Sequence, residues 1–238
     1  LKKGLSMLVE EKEMDIEWTS EMFHSDVDDD PLGDNKIEYR HISGRRIVLK
    51  LKTAPDVASG ILDQYELGPY NVIILGCDVS GRSRLRSALA PRTSEKVALH
   101  APCSVFVSRE LMAGNGHLVC VDGSPKSFEA AKLEAQIASR FPEPKLSAVC
   151  VVPEKSMAGE AESIIRRLEH VLSSELDFNL KGTYVRVGDT VDEIVAAGRD
   201  YSAIVLGGSA KSTLRRMITS SIPLEVLRKA PNSVMIVR

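Results

Sequence analysis

Apolar and polar positions follow two different periods between residues 117 and 238. Short apolar runs, typical of strands buried on both faces, occur at residues 118–122, 146–152, 184–187, 203–206 and 233–237. Between them, apolar residues recur every three or four positions, as on one face of a helix. This β-α-β-α-β-α-β-α-β order predicts an α/β fold in which a parallel sheet has right-handed crossovers and helices on both faces.

Two of these helices carry recognisable signals at their first residues. Ser124 is placed as an N-cap with Pro125 at the first helical position, and Asp189 is placed to cap a later helix. The buried stripe of the first helix is expected to contain Phe128, Ala131, Ala135 and Ala138.

The chain also repeats itself. Ala101–Arg109 matches Ala230–Arg238, and Tyr70–Gly76 matches Tyr201–Gly207, with a two-residue difference in offset that the intervening loop absorbs. A repeat this long predicts a duplicated domain rather than a solenoid. We expect two tandem copies, an incomplete one at residues 1–112 and a complete one at residues 117–238.

The first copy is expected to lack its amino-terminal part. Leu1–Glu10 aligns with the second helix of a copy, so its first strand, first helix and second strand are absent from this chain. Because the chain starts at Leu1 rather than Met, we expect the parent protein to continue upstream. In the first copy, the spacing between the small residues of the loop that begins at Gly76 is longer than in the second copy. Pro91-Arg92 stands where the second copy has Ser220-Ser221. We therefore expect no nucleotide binding by this copy.

Residues 24–46 form an insertion that the second copy lacks. It begins with aspartates between residues 26 and 34 and is expected to continue as a hairpin that turns at Ser43-Gly44. An EF-hand starting at Asp26 would need Gly and Glu where Pro31 and Ile37 stand, which favours a solvated acidic loop.

Composition excludes several classes of partner. The net charge of -2 gives no reason to expect nucleic acid, and no apolar run approaches the ~20 residues that span a bilayer, so no membrane insertion by this segment is expected. The four cysteines are scattered without disulfide spacing, and no signal peptide is visible, which predicts reduced thiols in a cytoplasmic protein.

The candidate site lies where ligands bind in such sheets, beyond the carboxyl ends of the strands at the point where strand order reverses. Here that position is the turn after Asp122 and the loop after Gly207. Small residues at Gly207 and Ala210 would let the backbone approach a phosphate chain, and Ser220 and Ser221 begin the next helix, where anions are favoured. The alternative is that this segment is only a strand-to-helix connection.

Gly207-x2-Ala210-x9-Ser220-Ser221 resembles the Gly-x2-Gly-x9-Gly-(Ser/Thr) signature of the universal stress protein family, although Ala210 and Ser220 replace two glycines. The resemblance implies an open five-stranded parallel sheet of order 3-2-1-4-5, an aspartate (Asp122) beside a bound adenosine, and ATP or a related adenine nucleotide, with Mg²⁺, as ligand. The residues implied to line the ligand are Val121, Asp122, Gly123, Val151, Gly207, Ala210, Ser220, Ser221 and Ile222.

Three functions stay open from the sequence. The first is a regulatory protein whose second copy binds nucleotide and whose occupancy alters contacts with an unidentified protein partner. The second is a nucleotide-free scaffold or dimerisation module with degenerate loops. The third, an ATP-hydrolysing or adenylating enzyme, is supported by no motif, and neither catalytic nor metal-ligating residues are identified. The family resemblance also implies intramolecular pairing of the two last strands, Ser104–Val107 and Ser233–Val237, and leaves room for a homodimer.

Overall fold

A computed structural model describes residues 18–23, 35–41, 44, 46–51, 54–66, 70–76, 90–109, 114–208 and 221–238. The chain divides into two compact units, Lys2–Pro69 and Tyr70–Arg238. The boundary between these units lies between Pro69 and Tyr70, whereas the sequence repeat predicts a boundary at residues 112–117. The assignment of 1–112 and 117–238 as two domains stays a prediction.

In its described residues, the smaller unit contains a three-stranded antiparallel sheet and one helix. Its elements are β1 (Trp18–Phe23), β2 (Asn35–His41), β3 (Arg46–Leu51) and α1 (Val57–Glu66), with strand order β1-β2-β3. Strands β2 and β3 pair from Asn35 opposite Leu51 to Arg40 opposite Arg46, and Gly44 in the connection has φ +83°. The predicted hairpin is therefore confirmed. Residues 1–17 and the aspartates at 26–34 lie outside the described residues.

The larger unit is an α/β sandwich built from seven strands. Its elements are β4 (Val72–Gly76), α2 (Ala90–His100), β5 (Ser104–Ser108), β6 (His117–Cys120), α3 (Pro125–Ala138), β7 (Leu146–Val152), α4 (Ala158–Leu176), β8 (Gly182–Val187), α5 (Thr190–Gly198), β9 (Ala203–Gly207), α6 (Ile222–Lys229) and β10 (Ser233–Val237), with a 3₁₀ turn at Lys155–Met157. None of the helices described is long and apolar enough to cross a bilayer.

The strand order of this sheet is β4-β5-β10-β9-β6-β7-β8, and every neighbouring pair is parallel except β5 with β10. Within residues 117–238 the order β8-β7-β6-β9-β10 is the expected 3-2-1-4-5. Val119 lies opposite Val205 in the parallel β6–β9 pair, so the two strands that carry the candidate site are neighbours. The expected fold is confirmed for this part of the chain.

Helices α3 and α5 begin at the residues that the sequence predicts, because an N-cap depends only on residues within one helical turn. The Ser124 hydroxyl accepts a hydrogen bond from the Ser127 N–H, and the Asp189 carboxylate accepts from the N–H groups of Val191 and Asp192. One part of the predicted α3 stripe is wrong. Phe128 is only half-buried.

The actual buried face of α3 contains Glu134 among alanines, and Glu134 is 1% exposed. Its Oε1 accepts a hydrogen bond from Nδ1 of His117, the first residue of β6. The carboxylate is tolerated there because it is paired. The ring of Phe128 instead lies under the Arg167 guanidinium, 5.0 Å from its carbon to the ring centroid.

The last strands, β5 and β10, pair antiparallel within one sheet, as expected. The register places Val107 opposite Val234, Phe106 opposite Met235 and Val105 opposite Ile236. Both strands are buried over most of their length. The pairing removes from each strand the exposed edge that it would otherwise present.

Arg109, directly after β5, reaches across this pairing to the end of α6. Its N–H donates to the Ser233 hydroxyl (3.0 Å), and its guanidinium donates to the carbonyl of Ala230 (2.6 Å) and to that of Leu227. A cation at a helix carboxyl terminus satisfies carbonyls that have no partner within the helix.

Arg238, directly after β10, makes the equivalent contacts on the other side. Its N–H donates to the Ser104 hydroxyl (3.2 Å), and its guanidinium donates to the Ala98 carbonyl near the end of α2. The offset that aligns Arg109 with Arg238 also aligns Ser104 with Ser233 and Ala98 with Leu227. We call Arg109 and Arg238 the reciprocal arginines.

Candidate functional site

The candidate site lies at the carboxyl edge of the sheet, where β6 and β9 are neighbours and the strand order reverses. The chain leaves β6 for α3, which packs on β9, while α5 packs on β7 and against α6. In folds of this kind, such a reversal separates connections that lead to opposite faces of the sheet, and ligands bind between them.

Continuing the strand register beyond β6 brings four of the predicted residues together. His117 pairs with Leu146 on β7 and with Ala203 on β9. The same two registers, continued past the end of β6, place Val121 beside Gly207 and Asp122 opposite Val151. Val121 extends the ladder, because its N–H donates to the Val149 carbonyl (2.9 Å). Val121 is buried, whereas Val151 is half-buried and Asp122 is exposed.

Asp122 is held as a carboxylate in a tight turn. Its Oδ1 accepts hydrogen bonds from the N–H (3.0 Å) and the hydroxyl (2.6 Å) of Ser124, and its own N–H donates to the Ser127 hydroxyl. Burial opposes ionisation, but the hydrogen bonds from Ser124 and Ser127 outweigh it and hold the pKa of Asp122 below its usual value. The carboxylate is therefore charged and oriented at neutral pH.

Gly123 adopts φ +80°, which the turn from β6 into α3 requires. An alanine Cβ at this position would lie 3.1 Å from Cδ1 of Ile164. The Gly123 carbonyl accepts a hydrogen bond from the Arg167 guanidinium (3.2 Å). Residues of α4 therefore fix the turn that presents Asp122.

Gly207 is in close contact with the first turn of α3. An alanine Cβ here would lie 2.6 Å from the Lys126 carbonyl oxygen and 2.9 Å from the Ser127 nitrogen. The next residue, Gly208, donates its N–H to the Val237 carbonyl (2.6 Å). Helix packing alone thus accounts for glycine at 207, and the Gly208 N–H is already used within the sheet.

Ser221 is the N-cap of α6, as expected, and its side chain makes no capping hydrogen bond. Ile222 follows and is exposed. Pro223 has no N–H, and the N–H groups of Leu224 and Glu225 donate to the Ser221 carbonyl. Few backbone donors therefore remain at this helix start. Ala210 and Ser220 lie outside the described residues.

The thiols near the site are unreactive. Burial, followed by the nearby charges of Asp122 and Glu160, raises the pKa of Cys150 to about 11. Burial also raises the pKa of Cys120, at the end of β6. Neither sulfur is a thiolate at neutral pH, so neither suits nucleophilic chemistry. Among the described residues there is no cluster of three or more His, Cys, Asp or Glu that could hold a metal ion.

The sequence did not identify two residues that hold the ends of β6, Arg167 at the turn after the strand and His117 at its first position. Arg167 lies on the exposed face of α4, where a charged side chain is expected even without a structural role. His117 is the first residue of β6, and no local spacing connects it with Glu134. Only the packing of α3 and α4 on the sheet reveals both contacts.

Comparison with known proteins agrees with this architecture. The family model for the universal stress protein family matches residues 117–238, more than half of the chain. The chain belongs to the universal stress protein family. A comparison with curated proteins found no match.

Solved structures share the fold at low identity. A universal stress protein from Archaeoglobus fulgidus matches with 22% identity and a TM-score of 0.60, covering 80% of this chain and 68% of that one. A functionally unknown protein from Pseudomonas aeruginosa PAO1 matches with 16% identity and a TM-score of 0.57, covering 77% and 68%. A universal stress protein in complex with cAMP matches with 23% identity and a TM-score of 0.44, covering 52% and 95%.

Proposed function

We propose that this universal stress protein is a non-enzymatic regulator that binds an adenine nucleotide, ATP or a related one, at the carboxyl edge of β6 and β9. The observation that carries the proposal is the Asp122 carboxylate, ionised and oriented at the point where strand order reverses. A fixed carboxylate is a hydrogen-bond acceptor for the hydroxyls of a ribose.

The described residues support the nucleoside end of the ligand more strongly than the phosphate end. Asp122 and Gly123 are held in place from α3 and α4, and half-buried Val151 supplies an apolar neighbour. At the phosphate end, the Ser221 hydroxyl makes no capping hydrogen bond and can contact a ligand. Pro223, in contrast, has no backbone N–H to donate to a phosphate. Backbone at Gly207 and Ala210, with Ser220 and Ser221, would face the phosphates. Mg²⁺ would then be held mainly by those phosphates.

Equilibrium dialysis of the full chain with ATP and with adenosine tests this proposal. Asp122→Asn should weaken binding of both at least tenfold, because it removes the charged acceptor while keeping the size of the side chain. Asp177→Asn is the matched control: Asp177 is an exposed helix C-cap with φ 50°, a conformation that asparagine tolerates, and should leave binding unchanged. Absence of ATP binding at roughly 1 mM contradicts the proposal.

The second candidate is a nucleotide-free scaffold. It is favoured by the role of Gly207 in packing against α3 and by the β5–β10 pairing, neither of which needs a ligand. In that case Ser221→Arg leaves both stability and partner binding unchanged, whereas a phosphate-binding role predicts loss of ATP affinity. Light scattering on the full chain determines whether the protein also forms a homodimer. We also propose that the protein is located in the cytoplasm.

A further inference from the structure

A second polar groove begins at the amino edge of the sheet and extends along β8 towards its carboxyl end. Its volume is about 430 Å³, within the range of roughly 300–1,000 Å³ typical of small-molecule sites. It is lined by Lys145 and Lys181, which directly precede β7 and β8, and by Tyr201, which precedes β9. Because these strands are parallel, their amino ends lie together, and the groove continues from there along β8 to Arg186, which pairs with Val151.

The charge of this amino-edge groove is predominantly positive. Three cations line it, Lys145, Lys181 and Arg186, against one acid, Asp200. Lys145 is partly occupied, because its Nζ donates to the Gly114 carbonyl (3.1 Å) and lies 3.5 Å from a carboxylate oxygen of exposed Glu143. In the part of the chain that the structure describes, neither Lys181 nor Arg186 has an ion-pair or side-chain hydrogen-bond partner. Such a concentration of positive charge in a concave site attracts anions.

Two tyrosine hydroxyls add neutral donors to the groove. The Tyr201 hydroxyl donates to that of Tyr184 (3.2 Å), which leaves the Tyr184 hydrogen available for another acceptor. Burial, together with the neighbouring Tyr184 and Asp200, raises the pKa of Tyr201, so its hydroxyl stays protonated. An alanine Cβ at residue 182 would lie 3.0 Å from the Tyr184 hydroxyl oxygen, so Gly182 makes room for this tyrosine pair.

We propose that the amino-edge groove binds a small phosphate-bearing anion, with Lys181 and Arg186 as its main ligands and the Tyr184 hydroxyl as a further donor. The guanidinium of Arg186 offers a planar set of donors that matches two phosphate oxygens, and the lysines supply point charges beside it. Lys181 and Tyr201 precede the amino ends of their strands, whereas the proposed nucleotide site lies at the carboxyl edge, so these two residues distinguish the groove from that site.

Nuclear magnetic resonance of the full ¹⁵N-labelled chain tests the site, with pyrophosphate as the probe at constant ionic strength. Saturating adenosine, which carries no phosphate, is added in a parallel titration to occupy the carboxyl edge. We expect saturable shifts of the Gly182 and Tyr201 amides on addition of pyrophosphate, unchanged by adenosine. The absence of saturable shifts at these amides up to roughly 10 mM pyrophosphate would overturn the proposal.

Charge-neutralising variants identify the ligands. Lys181→Gln with Arg186→Gln should weaken pyrophosphate binding at least tenfold, and Lys181→Gln alone, at the amino edge, should leave adenosine binding unchanged. The matched control removes two exposed cations elsewhere, Lys155→Gln with Arg140→Gln, and should leave both affinities unchanged. Equal pyrophosphate affinity in the groove variant and the control would also overturn the proposal, and thermal melting verifies that each variant is folded.

Discussion

At the scale of single residues, an acidic side chain lies at each end of β6, and the two are used differently. Asp122 follows the strand at the carboxyl edge and is exposed, with its charge directed by Ser124. Glu134 faces His117 at the amino end and is buried. The first arrangement leaves a carboxylate accessible to a ligand, whereas the second uses a carboxylate to join a helix to a strand.

The buried pair leads to a prediction about stability. Glu134→Ala should lower the free energy of unfolding by roughly 3 kcal/mol, because it removes a buried partner and leaves His117 without its acceptor. Urea unfolding measures this cost. Glu129→Ala on the same helix removes an exposed carboxylate and should change stability by no more than about 0.5 kcal/mol. Equal effects of the two substitutions would show that the His117–Glu134 contact contributes nothing.

At the scale of elements, the pattern of apolar runs predicted the order and type of the strands in residues 117–238. It succeeded because parallel strands buried on both faces need continuous apolar sequence. The caps at Ser124 and Asp189 were predictable for a similar reason, since a cap depends on residues within one turn. The β2–β3 hairpin followed from its turn chemistry around Gly44.

Contacts between elements could not be predicted in this way. The carboxylate at 134 interrupts an alanine-rich stripe, and nothing local shows that α3 brings it onto His117. The amino-edge groove combines residues from several separate stretches of the chain, such as Lys145 and Tyr201. Gly207 was attributed to phosphate approach, but its contact with Lys126 depends on how closely α3 packs on β9.

Gly207 offers a test that separates packing from binding. Gly207→Ala should destabilise the protein by roughly 1–3 kcal/mol, because its Cβ would lie 2.6 Å from the Lys126 carbonyl oxygen and α3 would have to shift. The matched control is Gly76→Ala at the end of β4, where an added Cβ meets no described atom within 4 Å. Urea unfolding of both variants gives the comparison. Unchanged stability with lost ATP affinity would show that Gly207 serves the ligand instead.

At the scale of the whole larger unit, the strand pair β4–β5 extends a five-stranded sheet through β10. Three features hold it there: the antiparallel β5–β10 ladder, the Arg228–Glu95 ion pair between α6 and α2, and the reciprocal arginines. The ion pair is largely exposed and contributes little. We propose that the equivalence of the Arg109 and Arg238 contacts reflects a duplicated domain that pairs with itself inside one chain.

If the reciprocal arginines hold this junction, replacing both should loosen β5 before the rest of the sheet. The two lie beyond opposite ends of the β5–β10 strand pair, roughly 20 Å apart along the strands, so the costs of Arg109→Met and Arg238→Met should add, at about 2 kcal/mol each. Hydrogen exchange should show faster exchange of β5 amides in the double variant while β6 and β9 stay protected, since those strands keep their own parallel partners. Arg140→Met, at an exposed position outside the junction, is the control and should leave exchange unchanged. If β5, β6 and β9 instead lose protection together, β4–β5 is not a separable addition to the five-stranded sheet but part of one cooperative unit.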